Sequence, residues 1–420
     1  MRAVFSLWPL MVAAALMLSA NGLQSTILAL RGIAEGFSPT IIGLLLSAYF
    51  VGFILGCRYG PGFIAAVGHI RAFTAFASIA SAAVIAHAII VDPIWWLLLR
   101  IVPGFALASL QMIMESWLND RADNATRGQV LSVYRIVDFT ALTLAQASVA
   151  LLDPTAFVPF AIMSIALSVA LVPVALTKVK APTVPTEARL DLGRLWSVSP
   201  LAAASALGVG ITASSFWSMA PLFVTEYGYE AAVVGYFIGA IIFGGAVAQW
   251  PVGFMSDRAD RRWVITFVSV GAGIVAVFLP WAAQTSEGAL IAVALVFGVF
   301  ALPGFGLAVA HANDHAEPGQ SVSVNGSLLM LYGVAAIAGP IIAPVVMRTL
   351  GQASLFYWVS GLYAVLVLFC LYRISQRAAP ETQEPYVPVP RTSPAVFELD
   401  PRVGMGDEED DGKQDGEKDI

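Results

Sequence analysis

Residues 230–252 read EAAVVGYFIGAIIFGGAVAQWPV, and residues 253–262 continue as GFMSDRADRR. The first stretch carries a single charge, Glu230, at its start. About 20 mostly apolar residues are enough to carry a helix across a bilayer. In hydrocarbon only helices and closed barrels satisfy every backbone polar group, and the two-residue alternation of a barrel strand is absent here. The stretch therefore predicts a transmembrane helix. It stops at a loop whose charges, Asp257, Arg258, Asp260, Arg261 and Arg262, belong in water.

Similar runs fill the chain of 420 residues, which is 58% hydrophobic and 12% charged. An average soluble domain is about one-quarter charged, so this composition predicts a chain solvated by lipid. Twelve spans are expected, at 5–29, 39–58, 72–91, 94–117, 128–151, 155–176, 198–223, 230–252, 263–284, 287–310, 322–347 and 353–374. The first is too long for a signal-peptide core and lacks a clear small-residue cleavage site, so it reads as a retained helix. The fold class is an all-α polytopic membrane protein.

The Lys/Arg bias of short loops sets orientation. One set of loops holds Arg2, Arg58, Arg71, Arg121, Arg127, Lys178, Lys180, Arg189, Arg194, Arg258, Arg261, Arg262, Arg373 and Arg377; the other holds only Arg31 and Arg348. Both termini are therefore expected in the cytoplasm, with the chain in a bacterial inner membrane. The net charge of −6 comes from the end of the chain, because residues 400–420 contain nine acidic and three basic residues. No basic surface remains to suggest nucleic-acid binding. Cys57 and Cys370 sit apart in apolar runs and fit no disulfide or metal framework.

Residues 177–197 form the longest polar gap and divide the spans six and six. The expected organisation is a bundle over 1–176, a cytoplasmic linker over 177–197, a bundle over 198–376, and a disordered acidic cytoplasmic tail over 377–420. The halves repeat. Gly43, Ala48 and Gly52 align with Gly235, Ala240 and Gly244, a shift of 192, and residues 103–108 (PGFALA) match 303–308 (PGFGLA), a shift of 200. Parallel repeats suit rocking about a site between the halves near the midplane. Small residues four apart, such as Gly52, Gly56 and Gly60, let helices approach closely.

The loop from Gly253 through Asp257-Arg258 to Arg261-Arg262 resembles the signature loop of the major facilitator superfamily, with Asp260 where the family pattern has Gly. The matching loop of the first half keeps Gly68, His69 and Arg71 but has Ala65 at the acidic position. Arg100-Ile-Val-Pro-Gly104-Phe-Ala-Leu-Ala108 is similar to the family's second motif. The exporter motif of the fifth span is missing, although Gly339-Pro340 stands in the eleventh. The segments PLFVTEYG, AQWPVGFMSDRADRR and Met114-Glu115-Ser116 resemble the YcaD-like branch of that superfamily. The resemblance covers residues 1–376 and implies two pseudo-symmetric six-helix bundles, secondary transport by alternating access, and a gating role for Gly253, Asp257, Arg258, Arg261 and Arg262. It also implies that Arg100 interacts with the first span, where Asn21 and Gln24 are the polar partners, and assists proton movement.

A charge at the centre of a membrane helix costs about 2.5–3.5 kcal/mol on insertion scales, so such residues face cavities or partners. Arg100, Glu115, Arg135 and Asp138 are the ones expected there. Arg135 and Asp138 lie one turn apart and can pair, and the hairpin after the fourth span brings Glu115 near them. Asp138 or Glu115 could take up and release a proton, since burial raises a carboxyl pKa and a nearby Arg lowers it. A static pair joining the fourth and fifth spans is the alternative. Arg100 could instead snorkel to the interface. Asp257 could face the N-terminus of the fifth helix, where an anion is favoured, or sit in a solvated loop. His311, Asp314 and His315 share a helical face with metal-ligand spacing, but at that membrane edge a gate or interfacial role suits them better, and no metal is expected.

The resemblance places the solute cavity on the first, fourth, seventh and tenth spans. Asn21, Gln24, Gln111, Thr212, Ser214, Ser215 and Trp217 are candidates there, with Tyr49 and Tyr236 on neighbouring spans. The set is mostly neutral, which suits an uncharged or amphipathic solute. Gly208-Val-Gly210-Ile-Thr-Ala213 fits a dinucleotide fingerprint by letter only, because no strand precedes it, and there is no phosphate-binding Gly-Lys-Ser/Thr loop. No cofactor and no enzymatic activity are expected. The partners expected are a small solute and lipid, with protons as a further candidate, in a monomer. A polytopic sensor or scaffold that uses its acidic tail is the competing reading.

Overall fold

A computed structural model describes residues 7–122, 126–175, 182, 190–317, 319–376, 383 and 385–400. The described chain is helical. In order, the long helices are α1 (Trp8–Ala34), α2 (Pro39–Val67), α3 (His69–Ile89), α4 (Pro93–Arg121) and α5 (Arg127–Ser148). Then come α6 (Val158–Val169, resumed at Leu171–Ala175), α7 (Pro200–Glu226), α8 (Ala231–Ser256) and α9 (Arg261–Thr285). Last are α10 (Glu287–Ala301, resumed at Gly304–Asn313), α11 (Ser321–Leu350) and α12 (Ser354–Gln376). Among the described residues eleven helices are long and apolar enough to cross a membrane, whereas Val158–Val174 is shorter. The sixth expected span is thus the weakest.

Local chemistry sets several of these boundaries. Pro39, Pro93 and Pro200 open their helices, where a missing N–H costs nothing. Ser38, Asp92 and Ser199 cap the same ends by accepting the backbone N–H of Ile41, Trp95 and Ala202. A single residue, Gly68, joins α2 to α3 at φ +86°, a backbone conformation that favours glycine.

The packing repeats six helices later. α2 packs on α4 as α8 does on α10, α1 on α5 as α7 on α11, and α3 on α6 as α9 on α12. The two halves meet through α2 against α11 and α5 against α8. The aligned glycines explain how closely. A Cβ on Gly43 would lie 2.2 Å from the Pro340 carbonyl oxygen, and one on Gly235 would lie 2.4 Å from that of Gln146. Ser47 adds a hydrogen bond to the Ile337 carbonyl at 2.9 Å. The second aligned pair works inside each half: a Cβ on Gly52 would meet Ile101 O at 2.0 Å, and one on Gly244 would meet Leu295 O at 2.1 Å. Gly43 and Gly235 lie just after the starts of α2 and α8, so these contacts close the end of the molecule away from the arginine-bearing loops.

One expectation is corrected. Residues 377–420 were expected to form a disordered tail, yet Gln383 and 385–400 are built into the bundle. Pro394–Leu399 is a 3-10 turn in which Val396, Phe397 and Leu399 have no exposed surface. It packs on α4 and α11 at the arginine-bearing end. The physical reason lies in composition. Residues 385–399, PYVPVPRTSPAVFEL, carry one acid, Glu398, while the dense charge begins beyond them. Residues 377–382, 384 and 401–420 lie outside the described residues, as do 177–181 and 183–189 of the expected linker. Its end forms a short helix, Leu192–Val198, capped by Asp191.

Candidate solute cavity

A cavity of about 240 Å³ lies between the halves. α1 supplies Asn21, α2 Tyr49 and Phe50, α4 Gln111, and α5 Arg135, Asp138 and Gln146. From the other half come Trp217 on α7, Gln249 on α8, Phe305 on α10 and Tyr332 on α11. The folded-back tail contributes Tyr386, Val389, Arg391 and Thr392. The walls are amide, aromatic and aliphatic, with one ion pair and one further cation, Arg391.

That pair is Arg135 and Asp138, 2.5 Å apart on one face of α5, and both are largely buried. The Arg135 guanidinium also lies 4.2 Å from the Phe139 ring centroid. The expected link from this pair to Glu115 takes another form. Glu115 is fully buried and accepts hydrogen bonds from the hydroxyls of Tyr134 on α5 and of Thr392 and Ser393 in the tail. α4 is thus fastened to α5 through Tyr134 at 3.0 Å rather than through an arginine.

Arg100 is buried rather than snorkelled, at 1% exposure. It does reach the first helix, but through Ser25, whose hydroxyl accepts from Nη2 at 2.6 Å. Its guanidinium stacks 4.8 Å from the Tyr49 ring centroid, a favourable cation–π placement in a desolvated site. Tyr49 in turn accepts from the Asn21 amide at 3.1 Å, and Asn21 Oδ1 is buried with no protein partner among the described residues.

Of the other expected cavity residues, Gln111 and Trp217 line the space, whereas Gln24, Ser214, Ser215 and Tyr236 do not. Gln24 is buried off the cavity, and Tyr236 is partly exposed on the outer face of α8. Ser214 bonds the Ile211 carbonyl within its own helix, and Ser215 receives the Trp358 indole N–H at 3.4 Å. Thr212 lies on a smaller neighbouring void that Arg391 also touches. Sequence reasoning missed Gln146, which ties α1 to α5 by accepting from Thr26 and donating to the Gly22 carbonyl. It also missed Gln249, Tyr332 and Arg391. An amide inside an apolar run, such as Gln146 or Gln249, was the available signal.

At the arginine-bearing end, Arg261 crosses from α9 to α10. It donates to Ser256 Oγ at 2.8 Å, to the Ala310 carbonyl at 2.9 Å and to Asp314 at 2.5 Å. Asp314 is thereby engaged, and His311 packs edge-to-face with His315, ring centroids 4.7 Å apart. No group of three potential ligands poised for a metal occurs among the described residues. Arg262 grips Asp260 through Nε and Nη2. Burial opposes the Asp260 charge, but these bonds hold its carboxyl below the ordinary value. Asp257, considered above for the N-terminus of the fifth helix, accepts the backbone N–H of Tyr386 at 2.6 Å and lies 3.9 Å from Arg261. The Arg258 guanidinium lies 3.6 Å from the Phe254 ring centroid. A Cβ on Gly253 would meet the Tyr386 ring at 2.7 Å. The signature loop therefore contacts both α10 and the tail.

This arrangement of repeated helices around a shared cavity is that of a membrane transporter. The family model of the Major Facilitator Superfamily matches residues 10–313 and 202–399, and the chain belongs to that superfamily. It is 22% identical over 356 residues to the MFS-type transporter YcaD of Salmonella paratyphi A (strain ATCC 9150 / SARB42), covering 84% of this chain and 92% of that protein. It is 23% identical over 347 residues to the MFS-type transporter Ent638_1421 of Enterobacter sp. (strain 638), covering 81% and 88%. Among solved structures, the nucleoside transporter NupG superposes with a TM-score of 0.68 at 15% identity, over 89% of this chain and 99% of that one. An inward-facing, unoccupied bacterial homologue of the lysosomal transporter Spinster superposes with a TM-score of 0.67 at 13% identity, over 94% and 97%. The chain is a multi-pass transporter of the YcaD branch, a protein of the inner membrane that handles a small solute within the lipid bilayer.

Proposed function

We propose that this chain is a proton-coupled secondary transporter that moves an uncharged or amphipathic solute by alternating access. The observation that carries the reading is the Arg135–Asp138 pair on the wall of a cavity shared by both halves. A carboxylate so placed is sensitive both to solute and to opening, because desolvation and a neighbouring arginine act on it in opposite senses. The glycine contacts of α2 with α11 and α5 with α8 supply the closed end, and the arginine-bearing end is the cytoplasmic one, with both termini there. The halves 1–176 and 198–376 rock as units in a monomer, and Gly253, Asp257, Arg258, Arg261 and Arg262 govern closure at the cytoplasmic end. Apart from Arg135, Asp138 and Arg391, the polar and ring-bearing lining is neutral amides, hydroxyls and aromatic rings, and Asn21 Oδ1 has hydrogen-bonding capacity to spare. Such a lining suits a ring-bearing solute with a polar edge, a class that includes the nucleosides in the name of NupG.

The test is purified protein in liposomes under an imposed pH gradient, with an internal pH-sensitive dye and a panel of neutral ring-bearing solutes. Solute-dependent proton flux in the parent, lost in Asp138→Asn, is the expected result. Solute uptake that proceeds at the same rate and pH dependence in Asp138→Asn refutes the coupling role.

A further inference from the structure

We propose that residues 385–400 are a tethered plug that occupies the central cavity and holds its arginine-bearing end shut to solute. This goes beyond the transport reading, and its test needs no solute.

The segment is seated by specific contacts along its length. The Tyr386 ring occupies a niche cut by two glycines, since a Cβ on Gly253 would lie 2.7 Å from the ring and one on Gly306 2.6 Å from its hydroxyl oxygen. The phenol donates to Gln249 Oε1 at 2.9 Å, and the backbone N–H donates to Asp257 Oδ1 at 2.6 Å. Burial pushes the Tyr386 phenol up to about 12, so it docks as a neutral donor. Farther in, Arg391 lies on the cavity wall with its guanidinium 5.0 Å from the Tyr332 ring centroid. Thr392 and Ser393 then supply two of the three hydroxyls received by the buried carboxylate of Glu115. Losing partners of that kind is costly for a buried carboxylate.

The segment is also built to enter a space with few partners. Pro385, Pro388, Pro390 and Pro394 bring no backbone N–H that would need satisfying. Their fixed φ leaves less chain freedom to lose on docking. The segment ends in the Pro394–Leu399 turn, capped by Ser393 and packed against α4 of one half and α11 of the other. A wedge that touches both halves cannot stay while they approach each other at that end. Docking therefore blocks entry and also fixes the halves in their present arrangement.

Two measurements test this in the full chain. In Gly253→Cys/Tyr386→Cys, whose Cβ atoms lie close together because a Cβ on Gly253 falls 2.7 Å from the Tyr386 ring, mild oxidation should form an intramolecular disulfide found by peptide mass spectrometry. Its absence in a monodisperse preparation overturns the seating. In Gln111→Cys, labelling by a membrane-impermeant maleimide in detergent should accelerate by at least about tenfold when 377–420 are deleted, because exposure follows the open fraction. Ser393→Glu, which sets a second carboxylate against Glu115, should do the same without truncation. Buried Cys57 and Cys370 serve as internal references; if they stay unreactive, the bundle is intact. Labelling in both variants at the full-chain rate, with those references unreactive, overturns the proposal.

Discussion

Replacing Gly43 or Gly235 by Ala adds one methyl group where the two halves touch. At Gly43 the new carbon would sit 2.2 Å from the Pro340 carbonyl oxygen and 2.8 Å from Pro344 Cγ; at Gly235 it would sit 2.4 Å from the Gln146 carbonyl oxygen and 2.8 Å from Val149 Cβ. The atoms approached are largely backbone, which cannot rotate away, so the helices must part by about 1 Å. Overpacking of this kind costs about 1–3 kcal/mol. The cost falls only on the arrangement in which these surfaces meet. At about 1.4 kcal/mol per factor of ten, its population should drop about 5- to 140-fold relative to one with this end open. Spin labels at Val91→Cys and Leu350→Cys, one on each half at that end, would report the change by pulsed electron paramagnetic resonance, with Cys57 and Cys370 replaced by Ala. A longer-distance population should appear in both glycine variants. Gly62→Ala, on the same helix as Gly43 but with nothing within 4 Å, should leave the distribution unchanged. Distributions and melting temperatures identical to the parent in both glycine variants would refute the close-contact argument.

Three further outcomes follow from the same geometry. Arg135→Met should lower stability by about 3–5 kcal/mol by stranding buried Asp138, while Arg135→Met/Asp138→Leu should recover much of the loss, because a removed pair costs less than a broken one; thermal melting in detergent measures both. Arg261→Ala strips hydrogen bonds from Ser256, Ala310 and Asp314 together. It should destabilise by a similar about 3–5 kcal/mol and speed tryptic cleavage near Arg258. The Asp260 carboxyl is held below its ordinary value, so its bond to Arg262 stabilises the folded chain above the usual carboxylate range and is lost as pH falls through the folded value. Asp260→Asn should therefore flatten the acid limb of the melting curve against pH, and an unaltered limb would count against that contribution.

The long helices were legible because lipid leaves little choice: a span must be apolar for about 20 residues, whatever it packs against. The 192-residue alignment even placed glycines at symmetric contacts, since close approach demands the same small residue in each half. Facing was harder. Ser214 bonds within its own helix and Ser215 meets Trp358, because a hydroxyl can be satisfied by nearby backbone or by a packed neighbour and so does not by itself mark the cavity side of an apolar helix, whereas the amides Gln146 and Gln249 do line the cavity. The tail misled for a different reason. Its acidic end dominates any average, and the 15-residue stretch that inserts, 385–399, shows its apolar content only when read by itself.

A segment joined to α12 by a short connection reaches its site at an effective concentration on the order of millimolar, however dilute the protein. For any solute that shares the cavity, the tail is a competitor that dilution cannot remove. An affinity measured on the full chain is weaker than the intrinsic one by the fraction of molecules whose cavity is free. Solute screens on a shortened chain and on the whole one would then rank compounds alike but place their dissociation constants on different scales, offset by one shared factor.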